Sequence, residues 1–153
     1  MSDLDDLYQD IVLDHGNRPR NFRVMEAPDH EAEGYNPLCG DRIHLYLQVE
    51  DGVIADLSIQ GSGCAISTAS ASLLTEVLRG KTEAEARELF DEVHTMITGD
   101  PTAGRSDAEV EQLGKLAALS GVRQFPARVK CATLVWHTLI KALDGDEAHA
   151  RTE

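Results

Sequence analysis

Apolar positions recur along the chain with two different periods. Leu4, Leu7, Tyr8, Ile11 and Val12 fall at i, i+3, i+4, i+7 and i+8, the stripe of an amphipathic helix. Ser2 and Asp5 can open that helix and Gly16 can close it. Residues 17–37 hold three prolines and keep no period. From position 43 the period becomes two: Ile43, Leu45, Leu47 and Val49 are apolar and alternate with Arg42, His44, Gln48 and Glu50, Tyr46 fitting either set. A second alternation, Val53, Ala55, Leu57 and Ile59, follows Asp51-Gly52, so the pattern predicts a β-hairpin with one buried face. In a continuous ladder a two-residue loop sets Leu47 opposite Asp56 and mixes core with surface. A three-residue loop over 50–52 sets Val49 opposite Val53 and Leu45 opposite Leu57. Gly52 then supplies its left-handed position, and this is the expected register.

Helical spacing returns at Ile66, Ala69, Ser70, Leu73, Leu74, Val77 and Leu78, and Gly80 ends it. Thr82-x-x-Glu85 is a capping box for a helix carrying Ala86, Leu89, Phe90, Val93 and Ile97, which stops before Gly99-Asp-Pro101. Ser106-x-x-Glu109 predicts a short helix near 107–120. Pro126 suits the first turn of a last helix through Leu143, and the polar tail 144–153 is expected to fray. Strands early and helices late predict an α+β fold, read as a single domain over 1–153.

A chain of 153 residues can bury a core without disulfide staples. Asp and Glu number 27 against 14 Lys and Arg, a net charge of −13. No basic stripe offsets this, which argues against nucleic acid or an anionic membrane and favours a basic protein partner or a metal ion. Residues 1–14 carry five Asp and lack the basic and apolar regions of a secretory signal. The uncharged stretch 57–75 holds Gln, two Gly, five Ser and two Thr, which excludes a transmembrane helix. A cytoplasmic chain is therefore expected. Three cysteines cannot all pair with one another, and in a reducing compartment they stay free thiols, available for metal binding or catalysis.

The expected register places Cys39 opposite Gly63 and Asp41 opposite Gly61, so Cys64 lies one residue from Cys39's partner. Cys39 and Asp41, two apart, share a face of a strand, and Gly40 lets the backbone bend. Cys64 precedes a helix whose free amide groups favour a thiolate. Cys131 would complete a tetrahedral site of three thiolates and one carboxylate, a set that suits zinc. With Zn²⁺ these ligands sum to −2, and Lys130 and Arg128 can offset the excess. Free cysteine is also among the most buried and inert residue types, which applies most to Cys131 in its apolar helix. Other motifs fail. Gly61-x-Gly63 has Ile at 66 where a dinucleotide loop needs Gly or Ala. Six His form no HExxH pair; His44 reads as a solvated position and His137 as structural. No nucleophile elbow or phosphate loop occurs.

The runs 7–15 (LYQDIVLDH) and 18–22 (RPRNF) resemble the start of SufU-type iron–sulfur cluster assembly proteins, relatives of IscU and the N-terminal domain of NifU. So do 36–41 (NPLCGD), 61–67 (GSGCAIS) and 125–132 (FPARVKCA). The likeness spans roughly 5–143. It implies an α+β domain with a three-stranded antiparallel sheet and helices packed on one face, the third strand coming from around 31–36. It implies metal ligands at Cys39, Asp41, Cys64 and Cys131. Lys130 stands where IscU-type scaffolds have His, and the segment between Gly99 and Gln124 is long, as in SufU proteins. The chaperone-binding Leu-Pro-Pro-Val-Lys stretch of the scaffolds is replaced by Phe125-Pro126-Ala127-Arg128, so a dedicated chaperone is not implied.

The activity implied is that of a zinc-dependent sulfur acceptor, a sulfurtransferase-type carrier. It would work with a SufS-like cysteine desulfurase and pass sulfur to downstream SUF assembly proteins. Cys39 would be the attacking thiolate, Asp41 the labile ligand, and Cys64 and Cys131 the anchors. The alternative is a scaffold on which the same residues hold iron or a [2Fe–2S] cluster.

Overall fold

A computed structural model describes residues 3–37, 39–98, 113–144 and 150–151. The chain runs α1 (Asp3–Asn17), β1 (His30–Asn36), β2 (Asp41–Glu50), β3 (Val53–Ser62), α2 (Ala65–Leu78) and α3 (Glu83–Thr98). A 3-10 helix (Gly114–Gln124), α4 (Pro126–Asp144) and β4 (Ala150–Arg151) complete it. The sheet order is β3-β2-β1-β4; the first three strands are antiparallel, and β4 adds two residues parallel to β1. Part of the tail expected to fray is thus held at the sheet edge, against Gly34 and Tyr35.

Period-two patterning decides which face is buried. Ile43, Leu45 and Leu47 of β2 and Leu57 and Ile59 of β3 point inward and are almost fully buried. They pack with Leu73 and Leu74 of α2, Val93 and Ile97 of α3, and Leu134, Trp136 and Leu139 of α4 in one cluster. The helices therefore cover one face of an α+β sheet, as the resemblance implies. On the other face His44 lies 3.8 and 3.9 Å from the carboxylates of Glu31 and Glu33.

The hairpin corrects the expected register. Asp51 (φ 53°) and Gly52 (φ 78°) form a two-residue turn, and Glu50 pairs with Val53. Positive φ at both central residues gives the turn whose twist matches the strands. The mixing of faces that this loop predicts is undone by a bulge. Val49 pairs with Ile54 and Gln48 with Asp56, so Ala55 is left over, and beyond it Leu47 meets Leu57 and Leu45 meets Ile59. One extra residue restores the phase that a continuous ladder could not keep.

Strand β1 carries no alternation of bulky residues because its inward positions are Ala32, Gly34 and Asn36. A Cβ on Gly34 would collide with Thr138 and Leu134, so the glycine lets α4 lie close against the strand. The capping box forms: Thr82 N–H donates to Glu85 Oε1 (3.0 Å) and Glu85 N–H to Thr82 Oγ1 (3.1 Å). The expected helix start at Ser106 and Glu109 lies outside the described residues. Its continuation is a 3-10 helix rather than an α-helix. Leu113, Leu116, Leu119 and Val122 are all buried and three apart, the spacing that aligns side chains in a three-residue turn. His137 packs edge-on against Phe90 and His94, in keeping with a structural role.

Candidate metal centre

The open end of the hairpin faces α4, and the chemistry gathers there. Gly40 N–H bonds back to Asn36 O (2.8 Å), closing a turn that Gly40 permits with φ of 72°. The turn leaves Cys39 exposed at its tip. Asp41 then begins β2 fully buried. Pairing runs Ile43 to Gly61 and Arg42 to Ser62, so Asp41 faces Gly63 rather than the expected Gly61. A Cβ on Gly63 would stand 2.6 Å from Asp41 Oδ1, so glycine is what lets the carboxylate approach. Cys64, half-buried at the N-cap of α2, donates its backbone N–H to the same oxygen (2.9 Å).

From α4 comes Cys131, fully buried, its thiol donating to Cys39 Sγ at 3.3 Å. The Asn36 amide, also fully buried, donates to Asp41 Oδ2 (3.3 Å) and Cys131 Sγ (3.5 Å). One ligating atom each from Cys39, Asp41 and Cys131 lie within 4.8 Å of one another. The Cys64 thiol interacts with Cys131 but is not within that distance of all three. Three of the four expected ligands thus form a tight group, and the fourth borders it.

Burial pushes the Cys131 thiol far above its usual range, reinforced by hydrogen bonds with Asp41, Cys39 and Cys64. A neutral thiol is what a buried cluster of anions enforces when no cation balances it. Arg128, one turn before Cys131, is held still more firmly charged by hydrogen bonding to Cys131 and by the charges of Cys64, Cys131 and Cys39. Lys130 is half-buried beside Cys131 and makes no ion pair among the described residues. Of the two expected supporting cations, Arg128 is the one oriented to the thiols.

The donor set fits a soft divalent metal. Asp41 is a buried carboxylate with no ion pair among the described residues, a costly arrangement that a bound cation would balance. Thiolate sulfurs with one carboxylate oxygen suit tetrahedral zinc, and cysteines equally suit iron–sulfur clusters. Pattern reading gave Asn36 no role and set Gly63 opposite Cys39 rather than Asp41. Both carry their signal only in the register, through the Asn36–Asp41 pair and the Gly63 approach.

The profile of the NifU-like N-terminal domain family matches residues 7–132. The chain belongs to this family. Within the NifU-like group it is 37% identical over 146 residues to the zinc-dependent sulfurtransferase SufU of Bacillus subtilis, covering 95% of each chain. It is 36% identical over 143 residues to the iron–sulfur cluster assembly scaffold protein IscU of Streptococcus pyogenes, covering 94% of this chain and 86% of that one. A proposed iron–sulfur cluster assembly scaffold protein for the SUF system, from Fervidobacterium islandicum, superposes with a TM-score of 0.78 at 32% identity. That match covers 87% of this chain and 93% of the other. Among the described residues, no helix of this NifU-like chain is long and apolar enough to cross a membrane.

Proposed function

We propose that this protein accepts persulfide sulfur from a cysteine desulfurase and passes it on for iron–sulfur cluster assembly, with zinc as its working metal. The observation that carries the reading is the asymmetry of the centre. Cys39 is exposed on a glycine turn, while Asp41 and Cys131 are buried. A partner protein can reach Cys39 and not the others.

Cys39, Asp41, Cys64 and Cys131 would hold the ion. Bound zinc supplies the positive charge that keeps these thiols deprotonated at neutral pH. Cys39 Sγ, as thiolate, attacks the terminal sulfur of the desulfurase persulfide. A new S–S bond forms on Cys39, the old one breaks, and the desulfurase cysteine leaves as its thiolate. No net oxidation occurs. Asp41 would be the one oxygen donor to the ion, beside soft sulfurs. Arg128, turned toward Cys131, Cys64 and Cys39, would offset the excess negative charge of the ligand set.

The test is desulfurase turnover under anaerobic conditions with zinc-loaded protein and no iron. Strong stimulation, lost in Cys39→Ala, is expected. Turnover unchanged by that substitution would overturn the assignment. A scaffold role for a [2Fe–2S] cluster is the second reading, favoured by the cysteine-rich donors and the scaffold names of several relatives. Reconstitution with iron and sulfide, yielding a stable cluster that transfers to an apoprotein, would establish it.

A further inference from the structure

The Asn36 side chain bridges two elements of the metal centre. Its amide nitrogen approaches Asp41 Oδ2 of β2 (3.3 Å) and Cys131 Sγ of α4 (3.5 Å). The residue is fully buried, pairs with Asp41 in the β1–β2 ladder, and its carbonyl accepts Gly40 N–H in the turn that carries Cys39. Backbone and side chain therefore connect Asn36 to three of the expected ligands. An amide carries no charge into the site, yet it donates to a carboxylate and to a sulfur that would be a thiolate with a metal bound. With Cys64 N–H on Oδ1, both oxygens of Asp41 already accept a hydrogen bond. Each such bond orients the carboxylate.

We infer that Asn36 is the positioning residue that sets how tightly and how long the centre holds its metal, through one amide shared between Asp41 and Cys131. The inference rests on the zinc reading above. Asn36 fixes the separation of an oxygen and a sulfur donor from different elements, so that they meet a metal without rearrangement. Without the amide Asp41 Oδ2 loses its hydrogen bond, and the carboxylate is freer to rotate against Cys131. Partners of this kind typically alter metal affinity by about 10- to 100-fold.

The test compares Asn36→Leu and Asn36→Ala with the unsubstituted full-length protein. Leucine keeps the branched shape with slightly more bulk and removes the donors; alanine removes both volume and donors. Zinc release to a chromophoric chelator, the cobalt(II) absorption spectrum, and melting of the metal-free protein are measured on each. Both variants should release zinc about tenfold or more faster and shift the cobalt bands. The metal-free leucine variant also loses the hydrogen bond on Asp41 Oδ2 and should melt somewhat lower, so the metal-directed role is read from faster zinc release and shifted cobalt bands in protein that stays folded. Alanine carries the same comparison should the leucine variant not fold. Release within twofold of the unsubstituted protein in a folded variant would overturn the inference alone. Failure of the unsubstituted protein to bind zinc or cobalt would sink this inference and the zinc reading together.

Discussion

Gly63→Ala isolates one close approach. Gly63 lies outside the left-handed backbone region, so alanine costs nothing in φ, and the perturbation is a single methyl group. That methyl would sit 2.6 Å from Asp41 Oδ1, 3.1 Å from its Cγ and 3.2 Å from its Cβ. Retreat is not cheap, because Asp41 is fully buried and tethered by Cys64 N–H on one oxygen and Asn36 on the other. A hydrogen bond to a charged group contributes about 1.5–3 kcal/mol, and the shift sacrifices at least one and strains the second. A loss of about 3 kcal/mol corresponds to a fall of about 6–12 °C in Tm for a domain of this size. Differential scanning fluorimetry of metal-free protein reads this, and chelator competition reads the accompanying loss of zinc affinity. Gly40→Ala is the contrast. Its Cβ meets nothing within 4 Å, and only the φ of 72° is strained, at about 1–2 kcal/mol. If Gly63→Ala melts within about 2 °C of the parent and competes for zinc equally well, the argument from the Asp41 contact is wrong.

Thr82→Ala removes one half of the capping box and should cost about 1 kcal/mol, seen as a small fall in Tm with zinc binding unchanged. His15 is buried against Ser72 Oγ (2.7 Å), and burial, aided by the charge of Arg20, lowers its pKa while Glu76 opposes the shift. His137 is lowered in the same direction by burial and by His94. Folding therefore favours the neutral rings: this stability is complete above the unfolded value of about 6.5 and is lost as pH falls through the folded values. Urea titrations between pH 7.5 and 5 should show the decline, and His15→Gln should make it shallower; an equal slope in the variant would refute the assignment to His15. Zinc removal by a strong chelator should lower Tm while leaving far-ultraviolet circular dichroism intact, since the Leu45, Leu57 and Trp136 core stands apart from the ligands. An unchanged Tm after metal loss is verified by elemental analysis would contradict a stabilising metal site.

The sequence by itself determined the helices and the buried faces of β2 and β3, because period and capping are local properties. Leu73 and Leu74, or Leu45 and Leu47, could face only one way once their spacing was set. It also determined that Cys39 and Asp41 share an end of the hairpin with Cys64, since every register considered brings these residues to that end. Tertiary structure alone decided the register itself. A bulge at Ala55 costs nothing visible in the pattern, yet it moved Asp41 from Gly61 to Gly63. Strand β1 was invisible to period because α4 packs so close that its inward positions are small or polar. The 3-10 geometry of 114–124 likewise followed from a buried three-residue spacing that resembles a helix in sequence. Asn36 and Cys131 are 95 positions apart, and only the docking of α4 on β1 adds the Cys131 sulfur to the amide's bond with Asp41. Ligand identity is written in side-chain chemistry, which the sequence states outright; ligand geometry depends on contacts between elements remote in sequence, which packing alone supplies.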